Sequence, residues 1–493
     1  MTSTKQSLAA TDNVPTGLFI GGDWVTGSSG GTLEHIFPGT GSPNATIEIA
    51  GEAEVDRAVD SAWEAHREWI SYTPERRRDL LLNVADALRD DAERLGRLNT
   101  HDFGVPTMMS AAHAGLAEKF FRYYAGYVDK ANGSSTPVAD KFDVNLIEHE
   151  PYGVVGIIAP WNGPLVVVGL NVAPALAAGN AVILKPSEIS PFTPLRFGEL
   201  CVQAGLPVGL VNVLPSGPEG GEALVRHPGV KKIHFTGGGS TAQKIITAAA
   251  HNLTPVATEL GGKSAALIFD DANLDVAAVT MSFQGPVGQS GQSCACSSRI
   301  FVQNTVYDAF MERFIGAVES AKIGDPFDPS TIVGPVVSQA ATDRILGVID
   351  RAVDEKMGEL VTGGKRLGGD LASGYFLEPT VFSHVNNKSA LAQIETFGPV
   401  VSVIPFADEA EAIALANDSV YGLNAFIQTQ NVGRAHRVAR KLEAGSVWVN
   451  RHSDLGPQSP YGGYKQSGAG RAGGIEGLHE FQQVKTIRIG MDF

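Results

Sequence analysis

The chain's three cysteines are Cys201, Cys294 and Cys296, and one of them sits where a thiol can do chemistry. Cys294 lies in GQSCACSSR, residues 291–299, a loop of small residues without a neighbouring acid. The thiolate is the reactive form of cysteine, and backbone N–H groups in such a loop stabilise both a thiolate and an oxyanion formed beside it. Cys294 is therefore a candidate nucleophile; on local sequence alone a small buried thiol fits the pattern equally well, and nothing separates Cys296 from packing. A second group is HFTGGGSTAQK, residues 234–244, which fits G-x-G-x-x-A at Gly237, Gly239 and Ala242 and could seat a pyrophosphate at a helix amino terminus. An acid for the ribose is expected about 20 residues further on, where Glu259 stands in TELGGKS, although a carboxylate there also suits a general base. In APWNGP, residues 159–164, Asn162 offers a neutral N–H donor for an oxyanion, unless proline and tryptophan merely build a turn. With no CxxC and no HExxH, no metal site is expected.

Elements that position these groups are legible around them. LFIGGDWV (18–25) reads as a short strand and turn after a mobile head. Val55, Ala58, Val59, Ala62 and Trp63 recur at helical spacing, and Thr73 with Pro74 supplies a cap and first-turn proline for a second helix. The run Arg76 to Arg78 reads as a solvated face. Gly163 to Leu184 is nearly free of charge over a length that could span a bilayer, but Asn171, Pro174, Gly179 and Asn180 interrupt it. It reads instead as a buried helix, a Gly179-Asn180 turn and a buried strand. Between 153 and 269 the runs GVVGIIAP, AVILKP, LVNVLP, KKIHF, PVATEL and AALIF alternate with helical stretches, which predicts βαβ units, a parallel sheet and ligands at its carboxyl edge. IFV near 300, VVSVIPF at 400–406 and SVWVN at 446–450 suggest a second α/β domain, and alternation over 143–148 predicts a half-exposed strand, either an oligomer arm or a surface hairpin.

Composition bounds the function classes. The 493 residues, 43% hydrophobic and 18% charged, are those of an ordinary multi-domain globular chain, and 57 glycines favour many tight turns. A net charge of −15 repels phosphate backbones and anionic lipid, so neither nucleic acid nor a membrane is expected as a partner. Three cysteines point to a reducing compartment, and MTSTKQSLAATDNVPTG lacks the apolar core of a signal peptide, so a cytoplasmic location is expected.

Four motifs occur in one order: PWN at 160–162, KPSE at 185–188, ELGGKS at 259–264 and GQSC at 291–294. With EPTVF (378–382), ETFGPV (395–400) and YGGYKQSGAGR (461–471), the chain resembles the aldehyde dehydrogenase superfamily from about residue 18 onward. The resemblance implies an α/β fold with a Rossmann-type NAD-binding domain (1–129 and 152–261), an α/β catalytic domain (262–465) and a small β oligomerisation arm (130–151 and 479–493), in which 130–151 pairs with the carboxyl-terminal TIRIGMDF. It further implies oxidation of an aldehyde to a carboxylate with NAD(P)+ and water and without a metal. Matching positions make Cys294 the nucleophile, Asn162 the oxyanion donor and Glu259 the base that activates water. Lys185 and Glu188 match the adenosine ribose contacts, Trp161 and the Gly238 region lie near the pyrophosphate, and Glu395 with Phe397 matches the nicotinamide end. A carboxylate at Glu188 repels a 2′-phosphate, so NAD is expected over NADP.

Three departures stand out: Gly163 replaces the usual aromatic after PWN, Gly238 replaces a serine in the phosphate turn, and Ala472 replaces a common glutamate. By correspondence Gly163, Val166, Val167, Leu170, Ser293 and Leu455 line the substrate tunnel, a mostly apolar set that suits an aliphatic, terpenoid or aromatic aldehyde over a semialdehyde acid, with Arg451 in a loop that could face it. A homodimer or homotetramer is expected, because exposed edge strands need covering. Rival readings are a CoA-acylating enzyme, against which Glu259 weighs, an idle binding protein that kept the fold, and a redox sensor built on Cys294 and Cys296.

Overall fold

The computed structural model describes residues 13–130, 133–138 and 143–490. Most of the expected amino-terminal head, parts of the 130–151 arm and the last three residues of the carboxyl-terminal strand lie outside that range.

Five parallel strands form the centre of the first sheet, in the spatial order Val211–Val213, Ala181–Lys185, Val154–Ile158, Lys232–Thr236, Val256–Glu259. The hairpin Leu18–Ile20 with Asp23–Val25 closes one edge and Gly468–Ala469 the other, both antiparallel. These strands read as continuous apolar runs because helices cover both faces, and each buried Val, Leu or Ile contributes about 1.5–3 kcal/mol. The order reverses between Val154–Ile158 and Lys232–Thr236. That switch point opens a crevice at the carboxyl ends of the strands.

Local signals outside the sheet are met. Helix Glu52–Ser71 buries Val55, Ala58, Val59 and Ala62, with Trp63 half-buried and its indole N–H on the Gly229 carbonyl (2.9 Å). Helix Pro74–Asp90 starts at Thr73, whose hydroxyl accepts the Arg76 amide at 3.3 Å. One residue of the arginine run departs from expectation. Arg76 stacks on Tyr72 and Arg78 pairs with Asp129, but Arg77 is half-buried against Trp69, and burial lowers its pKa.

The uncharged stretch from Gly163 is a helix, Pro164–Val167, Val168–Val172 and Ala173–Ala177, whose middle segment is a π turn. It packs so closely on helix Thr107–Ala125 that a Cβ on Gly169 would lie 3.0 Å from the Ala117 Cα. Gly179, at φ +103°, makes the expected turn, and Asn180 accepts the Gly153 amide while donating to the carbonyls of Ala175 and Phe481. Among the described residues no helix is long and apolar enough to cross a membrane.

The second sheet runs Glu359–Thr362, Thr380–Ser383, Val400–Phe406, Arg299–Gln303, Ala265–Ile268, Asn424–Gln428, Ser446–Val449, parallel except for its first pair. AALIF thus belongs here, not beside PVATEL in the first sheet. Residues 260–264 carry the chain from one sheet to the other, a crossing that strand periodicity does not encode. A third sheet pairs Gln482–Ile489 antiparallel with Val144–Pro151, which also pairs with Ser134–Ser135. The half-exposed strand predicted at 143–148 is its central member.

Candidate active site between two sheets

The first sheet presents the carboxyl ends of its strands to the amino ends of the second sheet's strands, and the sequence-predicted groups gather along that boundary. Pro160, Trp161 and Asn162 follow the strand ending at Ile158, beside the switch point. The Asn162 side-chain amide donates to the Gln292 carbonyl at 3.0 Å, and the Gln289 amide returns a bond to the Asn162 carbonyl at 3.2 Å. These bonds join the PWN loop to the cysteine loop. One N–H of the Asn162 amide group remains for an oxyanion.

The cysteine loop is bent by three successive left-handed residues, Gln289 (φ 48°), Ser290 (φ 54°) and Gly291 (φ 66°). Such backbone costs of order 1–3 kcal/mol per non-glycine residue and persists only where the surroundings over-determine it. Here Ser290 Oγ donates to the Gly334 carbonyl at 2.7 Å, Gln292 Nε2 donates to the Pro335 carbonyl, and Gln292 Oε1 accepts the Val337 amide. A Cβ on Gly291 would lie 2.1 Å from the Gly398 oxygen, so that position accepts only glycine. Just beyond the loop, buried Arg299 donates to the carbonyls of Lys263, Leu415 and Ala416. It clamps the loop's exit to the segment that links the two sheets.

Cys294 emerges from this frame half-buried, while Cys201 and Cys296 are buried and Cys296 donates to the Gly285 carbonyl at 3.2 Å. All three thiols are free. The acid-free local sequence suggested a site that favours the thiolate, but the tertiary surroundings oppose it. Burial, then Glu395, then Glu259 push the Cys294 thiol up to about 12, against hydrogen bonds from Tyr461 and its own backbone amide. These surroundings favour the protonated thiol over the thiolate.

Glu259 ends the strand Val256–Glu259 and is 7% exposed, with neither carboxyl oxygen hydrogen-bonded. Burial raises its pKa well above the ordinary value; Arg471 partly offsets this and Glu480 adds to it. A Cβ on Gly462 would lie 2.7 Å from Glu259 Oε1, so the glycine pair of YGGYK lets the chain pass over the carboxylate.

Along the carboxyl ends of the same first sheet lies a cradle suited to a dinucleotide. Lys185 ends its strand, buried, with Nζ 3.9 Å from Glu188 Oε2, and burial lowers its pKa while Glu188 opposes. Gly237 and Gly238 lead from Lys232–Thr236 into helix Gly239–Ala249, the strand–turn–helix context that the glycine motif requires, with Ala242 buried beneath. A methyl group added at Gly217, Gly238 or Gly239 would touch nothing within 4 Å, so the space over these helix starts is open. Glu395 accepts the Gly262 amide at 3.0 Å, and burial raises its pKa against Gly262, Lys263 and Arg344. Phe397, at φ +46°, meets Trp161 edge to face with ring centroids 5.5 Å apart. Trp161, from the first sheet's edge, and Phe397, before a strand of the second, thus meet across the boundary.

Of the expected tunnel residues, Gly163 caps the helix that carries Val166, Val167 and Leu170, and Val166 lies 3.5 Å from a Cβ at Gly163. Ser293 Oγ accepts the Ala295 amide. Leu455 is half-buried in a loop whose Arg451, His452 and Asp454 are exposed. Sequence reasoning missed Gln284 and Tyr461. Gln284 Oε1 accepts both the amide and the hydroxyl of Ser453 at 3.1 Å, and its Nε2 donates to the Ala295 carbonyl at 2.9 Å. Tyr461 stood inside a quoted motif, YGGYKQSGAGR, yet a phenol hydroxyl has no local signal that tells what it will touch.

A sequence profile described as Aldehyde dehydrogenase family matches residues 24–487. An aldehyde dehydrogenase of Enchytraeus buchholzi is 41% identical over 480 residues, covering 96% of this chain and 95% of the relative. A crystal structure of betaine aldehyde dehydrogenase from Staphylococcus aureus in complex with NAD+ superposes with a TM-score of 0.95 at 36% identity, covering 99% of this chain and 97% of the other. That of PnpE in complex with nicotinamide adenine dinucleotide gives 0.94 at 38% identity, over 97% and 98% of the two chains. With the fold, the ordered motifs and a near full-length profile in agreement, the chain belongs to the aldehyde dehydrogenase family.

Proposed function

We propose that the protein oxidises an aldehyde to its carboxylic acid with NAD+ and water, using Cys294 as nucleophile. The observation that carries this reading is the meeting of Cys294, the Asn162 amide and an unpartnered, buried Glu259 carboxyl at the boundary of the two sheets. Cys294 gives its proton to the Glu259 carboxylate, which passes it to water, as its sulfur bonds to the carbonyl carbon, and the displaced π pair becomes an oxyanion held by Asn162 and a backbone N–H of the loop. Bound NAD+ supplies the hydride acceptor that converts this thiohemiacetal to a thioester. Glu259 then takes a proton from water as the water attacks, the C–S bond breaks, and the acid leaves with the thiol restored. Lys185 and Glu188 would hold the adenosine ribose, Trp161 and the Gly238 turn the pyrophosphate, and Glu395 with Phe397 the nicotinamide end. Support for NAD comes from the Glu188 carboxylate and from relatives solved with that dinucleotide.

The substrate is an apolar aliphatic, terpenoid or aromatic aldehyde. Val166, Val167, Leu170 and Leu455 support this, as does the exposure of Arg451. Residues 1–129 and 152–261 serve the cofactor, 262–465 the chemistry, and 130–151 with 479–493 assembly. A homodimer or homotetramer is supported by the edge strand Gln482–Ile489, where Val484 and Ile489 are exposed. Three free cysteines support a cytoplasmic location.

The test is NADH formation from hexanal, benzaldehyde, succinic semialdehyde and betaine aldehyde, with NAD+ or NADP+ and with or without CoA. Turnover of hexanal or benzaldehyde with NAD+ alone, abolished by Cys294→Ala, is expected. A requirement for CoA, or activity surviving Cys294→Ala, would overturn the mechanism; a strong preference for succinic semialdehyde or betaine aldehyde would overturn the substrate class.

A further inference from the structure

Glu188 stands in the short loop between the strand Ala181–Lys185 and the helix Phe192–Gln203, and that loop is held from outside the first sheet. Buried His35, in the strand Thr32–Phe37, directs Nε2 at two backbone oxygens, that of Ile189 at 2.8 Å and that of Asp102 at 3.1 Å. Facing two acceptors, Nε2 carries a proton, and the ring donates to the residue next to Glu188. Nδ1 lies 2.6 Å from the Asn44 carboxamide on the paired strand, and Phe192 packs on the ring with centroids 4.5 Å apart, so the imidazole has one orientation. Asp102 completes the hold. Its buried carboxylate accepts the amides of Phe192 and Thr193 at 2.8 and 3.0 Å and the Thr193 hydroxyl. Both sides of Pro191 are thereby tied to the end of the helix Ala92–Phe103. Within the loop, the Ile189 amide donates to Ser187 Oγ at 3.3 Å and the Ser190 amide to the Ser187 carbonyl at 3.0 Å, which closes the turn around Glu188. The neighbour of Asp102, Phe103, meets Trp161 edge to face at 5.9 Å, so two side chains assigned to the cofactor rest on one helix end.

Resting on the assignment of Glu188 to the adenosine ribose, we infer that His35 is a positioning residue for the cofactor: it holds the Ile189 carbonyl so that the Glu188 carboxylate meets the ribose hydroxyls and turns away a 2′-phosphate. His35 itself touches neither cofactor nor substrate. An apolar side chain would fill the same space, but it would leave the loop free to choose its position. The imidazole N–H does not, because a hydrogen bond between oxygens has a working range of only about 2.5–3.0 Å, and a carboxylate that drifts outside it loses the ribose. Discrimination against the 2′-phosphate is lost by the same drift, since like-charge repulsion falls as the two anions separate.

His35→Leu removes both ring nitrogens, and His35→Gln returns an N–H near the place of Nε2. The readouts are the dissociation constants of NAD+ and NADP+ measured by calorimetry without aldehyde, KM and kcat for each dinucleotide, and a melting curve. His35→Leu is expected to weaken NAD+ about three- to tenfold, the worth of one hydrogen bond passed on to the ribose, without weakening NADP+. KM for NAD+ rises in proportion while kcat at saturating NAD+ holds, and His35→Gln recovers most of the NAD+ affinity. A merely structural role would weaken both dinucleotides alike. Should His35→Leu fail to fold, His35→Asn is read in the same way, because its shorter amide keeps the Asn44 contact but stops short of the Ile189 carbonyl. A folded His35→Leu or His35→Asn protein that binds NAD+ as the wild type does, or loses both dinucleotides equally, would overturn the inference when Glu188→Ala does weaken NAD+ selectively. A Glu188→Ala protein with wild-type affinity for both would instead overturn the ribose assignment beneath it.

Discussion

Gln284 and Ser453 are joined twice: one carboxamide oxygen accepts both the serine amide and its hydroxyl at 3.1 Å, across 169 residues of sequence. Because the same side chain also holds the Ala295 carbonyl, it fastens the 450–456 loop to the cysteine loop. Gln284→Leu is expected to raise KM for the aldehyde more than it lowers kcat, and to cost about 1–2 kcal/mol of stability. Steady-state kinetics and denaturant unfolding measure both; an unchanged KM would show that the loop does not border the substrate.

Gly261 is required by Glu395. A Cβ there would lie 2.1 Å from Glu395 Oε2, while Oε1 accepts the neighbouring Gly262 amide. Gly261→Ala is expected to displace the carboxylate, weaken NAD+ binding about tenfold and cost about 1–3 kcal/mol. Fluorescence titration with NAD+ reads the first effect and thermal melting the second.

Glu395 is also the strongest charged opponent of the Cys294 thiolate after burial itself. Removing a negative neighbour favours a negative sulfur, so Glu395→Gln is expected to speed iodoacetamide alkylation of Cys294 about two- to fivefold at pH 8. Unchanged or slower alkylation would show that the Glu395 charge does not bear on the sulfur.

Glu259 couples catalysis and stability to pH. Its raised pKa means that the folded protein holds this proton more tightly than the unfolded chain, whose glutamates titrate near about 4.3. The resulting stabilisation is complete below that value and is lost as pH rises through the elevated folded one. Glu259→Gln removes the loss, so the variant's melting temperature is expected to gain on wild type as pH rises from about 4.3 through the elevated folded value. As proposed base, Glu259 acts only when deprotonated; kcat should climb as pH passes its elevated pKa, and Glu259→Gln should lower steady turnover at least about 100-fold. A flat pH profile in the wild type would argue against this role.

The strand Gln482–Ile489 pairs on one side with Val144–Pro151 and, among the described residues, has no partner on its other edge, with Val484 and Ile489 exposed. Val484→Lys combined with Ile489→Lys is expected to shift the mass seen by light scattering from oligomer toward monomer, because charge on an open edge discourages pairing. A wild-type protein already monomeric at working concentration would remove the basis for the arm.

Much of this protein is determined locally. The cap at Thr73, the apolar face of Glu52–Ser71, the Gly179-Asn180 turn and the strand–turn–helix around Gly237 follow from backbone preferences and side-chain spacing within a few residues. The ordered motifs PWN, KPSE, ELGGKS and GQSC identified the family and named Cys294, Glu259 and Asn162. What tertiary structure decided depends on distances through space. AALIF changed sheets because its apolar pattern suits either one, and Arg77 is half-buried because the Gly179 turn folds against it. Cys294 stands in a loop without acids, yet two distant carboxylates and burial decide its ionisation, since desolvation and Coulomb energy depend on surroundings and not on chain neighbours. Tyr461 and Asn424 meet by the same rule. The residue types that could serve the sulfur are visible in the chain, but which of them reaches it is a property of the fold.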